Sequence, residues 1–445
     1  MQDFSNKRIT GNLQKLFDNL PEDELVDVII STRPDCNTKA LAEHIQQWLQ
    51  TEGMTLARGI ESTEHYLFCS LNKNQIIAMQ KQFPEIDKLW HDQPCKALLD
   101  KSSLCVEAIA AQRLFSAMGE GICWAVLDSG IDTAHPHFQQ HANVLPEWKD
   151  FVGISERGDL AGHGTAVAGI IAGEATGDAV EMTDLGFGLP PIKSTRKNCT
   201  LAGIAPKAKL YDIRVLDAQA STPSSRLIQA MRYIRMEINN RTHVIHGVNI
   251  SIGCQFDPLV YGAGHTPLCE EADRLASSGV VVCVAAGNDG YLSLEVNDGA
   301  AAPGVMPKLV EMSINDPANA AQVIAVGSCH KENPHTFGIS YFSSKGPTSD
   351  GRLKPDLLAP GEQILSCYKQ DSYASGLIYC PSTGTSFACP HVSGAIAAFL
   401  SVKREFIGRP DIVKQIFLES ATDLHRERNF QGHGLISLLR ALEKC

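Results

Sequence analysis

The chain carries no excess of basic charge. Its 39 lysines and arginines stand against 50 aspartates and glutamates, a formal net charge of −11 over 445 residues. Without a basic stripe, nucleic acid is excluded as the main partner. Net charge speaks to solubility and steering only, so it names no substrate. Long apolar runs are also missing. No segment approaches the ~18 consecutive apolar residues of a membrane span, so no membrane partner is expected. The richest run, Val280 to Ala286, suits a buried strand. The opening MQDFSNKRITGNLQKLFDNLPEDEL has no apolar stretch behind a basic start, so no secretory signal is read there. None of the 14 cysteines forms a Cys-x-x-Cys pair, which excludes zinc-ribbon and thioredoxin-like chemistry. Cys123 and Cys283 lie inside apolar runs, where a thiol packs as a small apolar residue. With no export signal, reduced thiols in a cytoplasmic protein are expected. Internal repeats and low-complexity tracts are absent as well.

What is present has two textures. An apolar fraction of 44% and a charged fraction of 20% suit a globular protein with a sizeable core. Domains usually hold roughly 100–200 residues, which predicts one large and one small domain. Residues 1–100 alternate strand-like and helix-like pieces. Val26–Ser31 is a predicted strand. Asn37 is a predicted N-cap for a helix with Leu41, Ile45 and Leu49 at helical spacing. Thr55–Ile60 and His65–Leu71 read as two strands, Asn72 caps a second helix, and Ile86–Trp90 adds a last strand. That β-α-β-β-α-β order is the order of a small ferredoxin-like α+β domain. Cys95–Ser103 reads as a linker. Across 101–445 the pattern becomes α/β. Valine- and isoleucine-rich runs recur at Cys123–Leu127, Leu210–Val215, Val244–Ile252, Val280–Ala286 and Val323–Val326. Helical segments such as Arg226–Ile238 and Cys269–Ser277 lie between them. This predicts a parallel sheet with helices on both faces. Glu174–Thr200 and Tyr291–Val310 lack periodicity and read as exposed inserted loops.

Three segments carry chemistry. In AVLDSGID (125–132) an apolar strand runs straight into Asp128. Active sites of open parallel sheets lie beyond the carboxyl ends of strands, although an aspartate there also makes an ordinary turn. In GHGTAVAGIIAG (162–173) His163 stands between two glycines and opens a helix of small residues able to approach a sheet closely. In GTSFACPHVSGAIAAFL (384–400) Ser386 precedes a small-residue helix. Pro390 costs ~3 kcal/mol inside a helix, so the helix is expected to start near it. A serine at a helix start has N–H groups and the positive dipole end beside it, where an oxyanion is stabilised; a plain N-cap is the simpler alternative for such a serine.

Together the segments supply an acid, a base and a nucleophile in the order Asp, His, Ser, which is the order of subtilisin. The words around them, DSGID, GHGT-x-VAG and GTS-x-A-x-PH-V-SG, resemble the active-site signatures of the subtilisin-like serine peptidase family. VAAGN (284–288) is similar to the family's oxyanion strand, SIG (251–253) after Asn-x-Ser to its substrate-binding strand, and GHGLISLLRAL (432–442) to its last helix. The resemblance spans roughly 105–442. It implies a serine endopeptidase with Ser386 as nucleophile, His163 as base and Asp128 orienting the imidazole. It implies Asn288 as the oxyanion donor, and Ser251, Ile252, Gly253, Ala286 and Gly287 as substrate-binding residues, with protein or peptide substrates held as an added strand. The region before it resembles the family's propeptide, which implies an autoinhibited zymogen whose own N-terminal domain is the inhibitor. Asp132, His135, His137 and His391 are expected to be non-catalytic.

No cofactor is implied beyond the calcium of many relatives. Here the matching segment reads His135-Pro136-His137-Phe138, with a histidine in place of the acid, a poor ligand for a hard cation. Calcium is therefore not expected at that strong site. Ser386 lies in GTSFA rather than G-x-S-x-G, which excludes an α/β-hydrolase. The Gly-His-Gly-Thr and Ala-Gly-Asn segments oppose an acid-acting Ser-Glu-Asp relative, and the complete residue set opposes a catalytically dead one.

Overall fold

Alternation is cleanest in the first strand, β1 (Val26–Thr32), where Val26, Val28 and Ile30 are buried and Asp27 faces solvent. The structure is a computed structural model. It describes residues 8–9, 13, 17, 21, 24–33, 35–54, 59–63, 66–91, 101–183, 192–239, 245–257, 262–296, 304–369 and 377–445. The chain divides into two units, residues 1–96 and 97–445.

In the first unit β1 is followed by helix α1 (Thr38–Thr51), strands β2 (Glu61–Ser62) and β3 (Tyr66–Leu71), helix α2 (Lys73–Gln82) and strand β4 (Ile86–His91). The sheet order is β2-β3-β1-β4, with every pairing antiparallel. Asn37 caps α1 by accepting from Ala40 N at 3.2 Å. Asn72 and Gln75 form a reciprocal capping box on α2, both bonds 2.9 Å. Leu41, Ile45 and Leu49 of α1 and Ile76 and Met79 of α2 share one core with the inward strand residues. Each such fully buried side chain stabilises the unit by about 1.5–3 kcal/mol. Of the expected strand Thr55–Ile60, residues 55–58 lie outside the described residues, and the strand present is β2, just beyond it. Of the expected linker, 92–100 also lie outside. Its end is not linker: Lys101–Cys105 form a short helix, α3, with Ser102 buried because its hydroxyl meets His391 Nε2 at 2.8 Å.

The second unit is built on seven strands: β5 (Cys123–Asp128), β6 (Val144–Asp150), β9 (Lys209–Arg214), β10 (Gly247–Ile250), β11 (Val281–Ala285), β14 (Ile324–Cys329) and β15 (Leu357–Pro360). Their order is β15-β14-β11-β10-β5-β9-β6, all parallel. The chain starts in the middle at β5, fills one side with β6 and β9, then crosses to the other side at β10. The order therefore reverses between β5 and β10, and the crevice beyond their carboxyl ends is where such folds bind ligands. Side chains alternate between two cores. Trp124, Val126, Cys283 and Ala285 face helices α4 (His163–Ile171), α7 (Thr385–Val402), α8 (Pro410–Ser420) and α9 (Leu438–Lys444). Ala125, Leu127, Val282 and Val284 face α5 (Ser224–Tyr233) and α6 (Pro267–Ser277). By length and mean hydropathy of 1.3, α7 suffices to cross a membrane, but 83% of it is buried inside the protein.

Two expectations need correction. Glu174–Thr200 is not an irregular loop. Strands β7 (Glu174–Thr183) and β8 (Ile192–Ala202) form a long antiparallel hairpin, and β7 pairs in parallel with β17 (Leu377–Ser382), which also pairs with β16 (Ile364–Cys367). Tyr291–Val310 likewise holds a hairpin of β12 (Tyr291–Val296) and β13 (Gly304–Leu309). Main-chain pairing builds both, and facing pairs such as Thr176 with Thr200 leave no apolar alternation to detect. Strands β6 and β15 were also not anticipated. The first is a polar edge strand containing Pro146, and the second is four residues long.

Candidate active site

Strand β5 ends on Asp128, which is fully buried. Its carboxylate accepts from Ser129 N at 2.7 Å and meets His163 Nδ1 at 2.8 and 3.0 Å. His163 is the first residue of α4, after a left-handed Gly162 with φ 84° that offers no side-chain cap. The two chains come this close because Gly164 has no side chain. A Cβ there would stand 2.2 Å from Gly130 O and 3.1 Å from Asp128 Cβ. Burial pushes the imidazole toward its neutral form. The Asp128 charge and hydrogen bond, followed by the Asp159 charge, outweigh it, so the pKa of His163 is raised. Nε2 points away from this carboxylate contact and is the nitrogen that can exchange a proton.

Ser386 is the second residue of α7 and is half-buried. The helix does not wait for Pro390: it begins at Thr385 and carries the proline inside. The N–H that Pro390 lacks would have bonded the carbonyl four residues earlier, that of Ser386. That oxygen instead accepts from Ser251 Oγ at 2.7 Å, so the cost of an unpaired buried carbonyl is avoided. Ser251 Oγ in turn accepts from Asn249 Nδ2 at 2.8 Å, and Asn249 Oδ1 accepts from Ser393 Oγ at 2.9 Å. The Ser386 hydroxyl donates to Ser251 O at 2.9 Å rather than to the imidazole. The His163 ring lies beside Phe387, the next residue on α7, with ring centroids 5.3 Å apart.

Asn288 follows β11. Its Oδ1 accepts from Thr385 N at 2.9 Å and from Thr385 Oγ1 at 3.0 Å. This pins the amide and leaves Nδ2 as the end able to donate to a bound oxygen, one residue from Ser386. Ser251–Gly253 directly follow β10, and Ala286 and Gly287 directly follow β11. Ala286 N donates to Val326 O, and its carbonyl accepts from Asn315 N, both at 2.9 Å. Gly287 N donates to Thr385 Oγ1 at 3.2 Å, and its carbonyl accepts from Ser344 N at 2.9 Å. Their main-chain N–H groups are thus already engaged inside the protein.

Three residues were not singled out by the sequence. Thr385 was seen only as part of GTS, yet it anchors Asn288. Asn315 wedges between the two glycine-bearing walls: a Cβ on Gly253 would come within 2.9 Å of its Cβ, and one on Gly287 within 2.7 Å of its Cγ. Asp159 lies in the GDLAGH stretch before His163 and is buried.

Of the residues expected to be non-catalytic, His391 lies in the core, its Nδ1 2.8 Å from Phe387 O. Asp132 sits in a turn, accepting from Ala134 N at 3.0 Å. His135 and His137 are buried around a short turn, Pro136–Phe138. His137 Nδ1 meets Tyr379 Oη at 3.1 Å and Nε2 meets Gly169 O at 3.2 Å. Burial, followed by the neighbouring His135, lowers its pKa to about 3. A buried imidazole with both nitrogens engaged does not fit the calcium that the family resemblance implies there.

A serine at the start of a helix, an imidazole held by a buried carboxylate and an anchored amide, all beyond the switch point of a parallel sheet, form the layout of a serine hydrolase site. The Peptidase_S8 model, described as the subtilase family, matches residues 119–434. The chain belongs to that family and is a subtilisin-like serine endopeptidase. It is 27% identical over 440 residues to the serine protease AprX of Bacillus subtilis (strain 168), covering 96% of this chain and 90% of the relative. It is 29% identical over 329 residues to the major intracellular serine protease of the same organism, covering 72% and 82%. Subtilisin E, also from that organism, is 30% identical over 285 residues, covering 64% and 56%.

Proposed function

We propose that the chain hydrolyses peptide bonds of protein or peptide substrates through an acyl-enzyme, with Ser386, His163 and Asp128 as the catalytic triad. The 2.8 Å contact of His163 Nδ1 with Asp128 carries this reading, because it fixes the tautomer and leaves Nε2 for the proton. On substrate binding, a turn about χ1 of Ser386 takes its hydroxyl from Ser251 O to Nε2. The freed carbonyl then accepts a peptide N–H, as part of the added strand along Ser251, Ile252 and Gly253. Ser386 Oγ attacks the scissile carbonyl carbon, a C–O bond forms, and the hydroxyl proton passes to Nε2. The imidazolium gives that proton to the amine as the C–N bond breaks. Water then attacks the ester by the same proton route, releasing the acid and restoring Ser386. Asn288 Nδ2 donates to the tetrahedral oxyanion. The test is fluorophosphonate labelling and cleavage of a short peptide. Wild type is labelled at Ser386, and Ser386→Ala loses labelling together with about 10⁶ in turnover, the size of this loss in subtilisin. A Ser386→Ala protein that still cleaves the peptide refutes the assignment.

We further infer that residues 1–100 act as an inhibitor, that the enzyme is made as a zymogen, and that it works in the cytoplasm without a cofactor. The β-α-β-β-α-β unit directly preceding the peptidase region supports the first two, as does the alignment to AprX over nearly the whole chain. A relative named as intracellular, and free thiols at every described cysteine, support the location. Wild type is then cut between residues 95 and 105 while Ser386→Ala stays full length, and the separate first unit inhibits the mature chain. An intact, fully active wild type that the unit does not inhibit refutes this and makes the region a docking or regulatory domain.

A further inference from the structure

Asp159 is 3% exposed, and no step of the proposed hydrolysis uses it. Its carboxylate accepts five hydrogen bonds. Oδ1 takes Ser129 Oγ at 2.6 Å, Ala161 N at 3.0 Å and Gly162 N at 2.8 Å. Oδ2 takes Thr165 N at 2.8 Å and Thr165 Oγ1 at 2.6 Å. The donors come from two places. Ser129 directly follows Asp128 on the chain leaving β5. Ala161, Gly162 and Thr165 surround His163 at the start of α4. Two further bonds tie the same two segments: Ser129 Oγ accepts from Gly164 N at 3.0 Å, and Thr165 Oγ1 accepts from Asp132 N at 2.9 Å. Gly162 gives α4 no side-chain cap, so Asp159 takes that role from three residues upstream, with its charge at the positive end of the helix.

We propose that Asp159 is a positioning residue for His163: its buried carboxylate joins the chain after Asp128 to the first turn of α4, sets the imidazole against Asp128, and its charge holds the imidazolium. This rests on the triad reading above. A buried carboxylate serving only as a helix cap needs one or two backbone donors. This one clamps both halves of the Asp128–His163 contact, and a contact that must hold its geometry through proton transfer gains most from such a clamp. The charged groups that bear on the ring among the described residues come from two segments. β5 brings Asp128 and the 158–162 stretch brings Asp159. From α7 the ring meets the uncharged Phe387. In the chain after β16, Lys369 has its Cβ 3.8 Å from the place of a Gly162 Cβ. Asp159 adds to Asp128 in raising the pKa of His163 against the opposing effect of burial.

The full chain with Asp159→Asn or Ser129→Ala tests this, with kcat, KM and the pH profile of kcat/KM measured on a short chromogenic peptide. Asp159→Asn removes the charge and turns an NH₂ toward the donors. It is expected to lower kcat by about ten- to a hundredfold with KM little changed, and to move the acidic limb of the profile to lower pH. The sign follows from the charge: with one negative group fewer, the imidazolium loses its proton at lower pH. Ser129→Ala removes two hydrogen bonds, the one to Asp159 and the one from Gly164 N, and keeps the charge, so kcat falls less than in Asp159→Asn and the acidic limb stays in place. An unmoved limb in a folded, active Asp159→Asn protein overturns the proposal, as does an equal shift in Ser129→Ala. If Asp159→Asn does not fold, a Ser129→Ala protein with wild-type kcat overturns it. Failure of the triad reading is seen separately, as peptide cleavage by Ser386→Ala.

Discussion

Gly164→Ala places one methyl group where the active site has no room. The new Cβ would stand 2.2 Å from Gly130 O, 3.1 Å from Asp128 Cβ and 3.2 Å from Asp128 Oδ1. Ordinary contact needs about 3.4 Å or more, so roughly 1 Å must be found between α4 and the chain leaving β5. Both neighbours are main chain or buried carboxylate, and neither swings aside as the end of a long side chain would. Two effects on stability oppose each other. Alanine gains up to about 1 kcal/mol over glycine in a helix, and less in the first turn. Overpacking costs typically about 1–3 kcal/mol, so the overpacking wins and the thermal midpoint falls by a few degrees. The effect on activity is larger, because the displaced contact is His163 with Asp128. A misplacement of ~1 Å costs on the order of a hundredfold in turnover. The proposed substrate strand at Ser251–Gly253 is untouched, so the loss is expected in kcat and not in KM. Steady-state cleavage of a chromogenic peptide, with a thermal melt on the same sample, measures both. A kcat within about twofold of wild type and an unchanged melt would show that α4 shifts without cost and that the close approach has no catalytic role.

Asn288→Leu keeps the side-chain bulk and removes the proposed oxyanion donor; kcat should fall by about 10²–10³, the range known for subtilisin, with KM little changed, and an effect confined to KM contradicts the role. His137, with its pKa lowered to about 3 by burial and then by His135, is neutral in the folded protein while an unfolded histidine protonates near 6.5. Between these values the unfolded chain binds the extra proton, so this histidine's contribution makes stability fall as pH drops from about 6.5 toward 3, by several kcal/mol at its full extent. Thermal melts across that range should be flatter in His137→Gln, and parallel curves refute the assignment. Because His137 has both nitrogens engaged by Tyr379 and Gly169, EDTA should leave its thermal midpoint little changed; a steep loss restored by calcium alone contradicts this.

Much of the site was legible because its signals are local. Asp128 at the end of an apolar strand, His163 between glycines and Ser386 ahead of a small-residue helix each depend on a few neighbouring residues, whose backbone conformation the chain itself sets. The first unit was legible for the same reason: strand alternation, helix caps and element order are properties of short windows. What remained hidden depends on partners far along the chain. The amide of Asn288 is held by Thr385, 97 residues away, and the carbonyl orphaned by Pro390 is satisfied by Ser251, 135 residues from Ser386. A helix rule that places proline near the first turn could not foresee that borrowed donor. The hairpins at Glu174–Ala202 and Tyr291–Leu309 were missed because main-chain pairing, and not side-chain alternation, makes them strands. Asp159 was not singled out by the sequence, because only folding brings Ser129, Gly162 and Thr165 around it. The amino-acid sequence by itself determined which groups are available and at which strand and helix ends they stand. The tertiary structure decided which of them meet, because hydrogen bonds and packing act over a few ångströms of space whatever the separation along the chain.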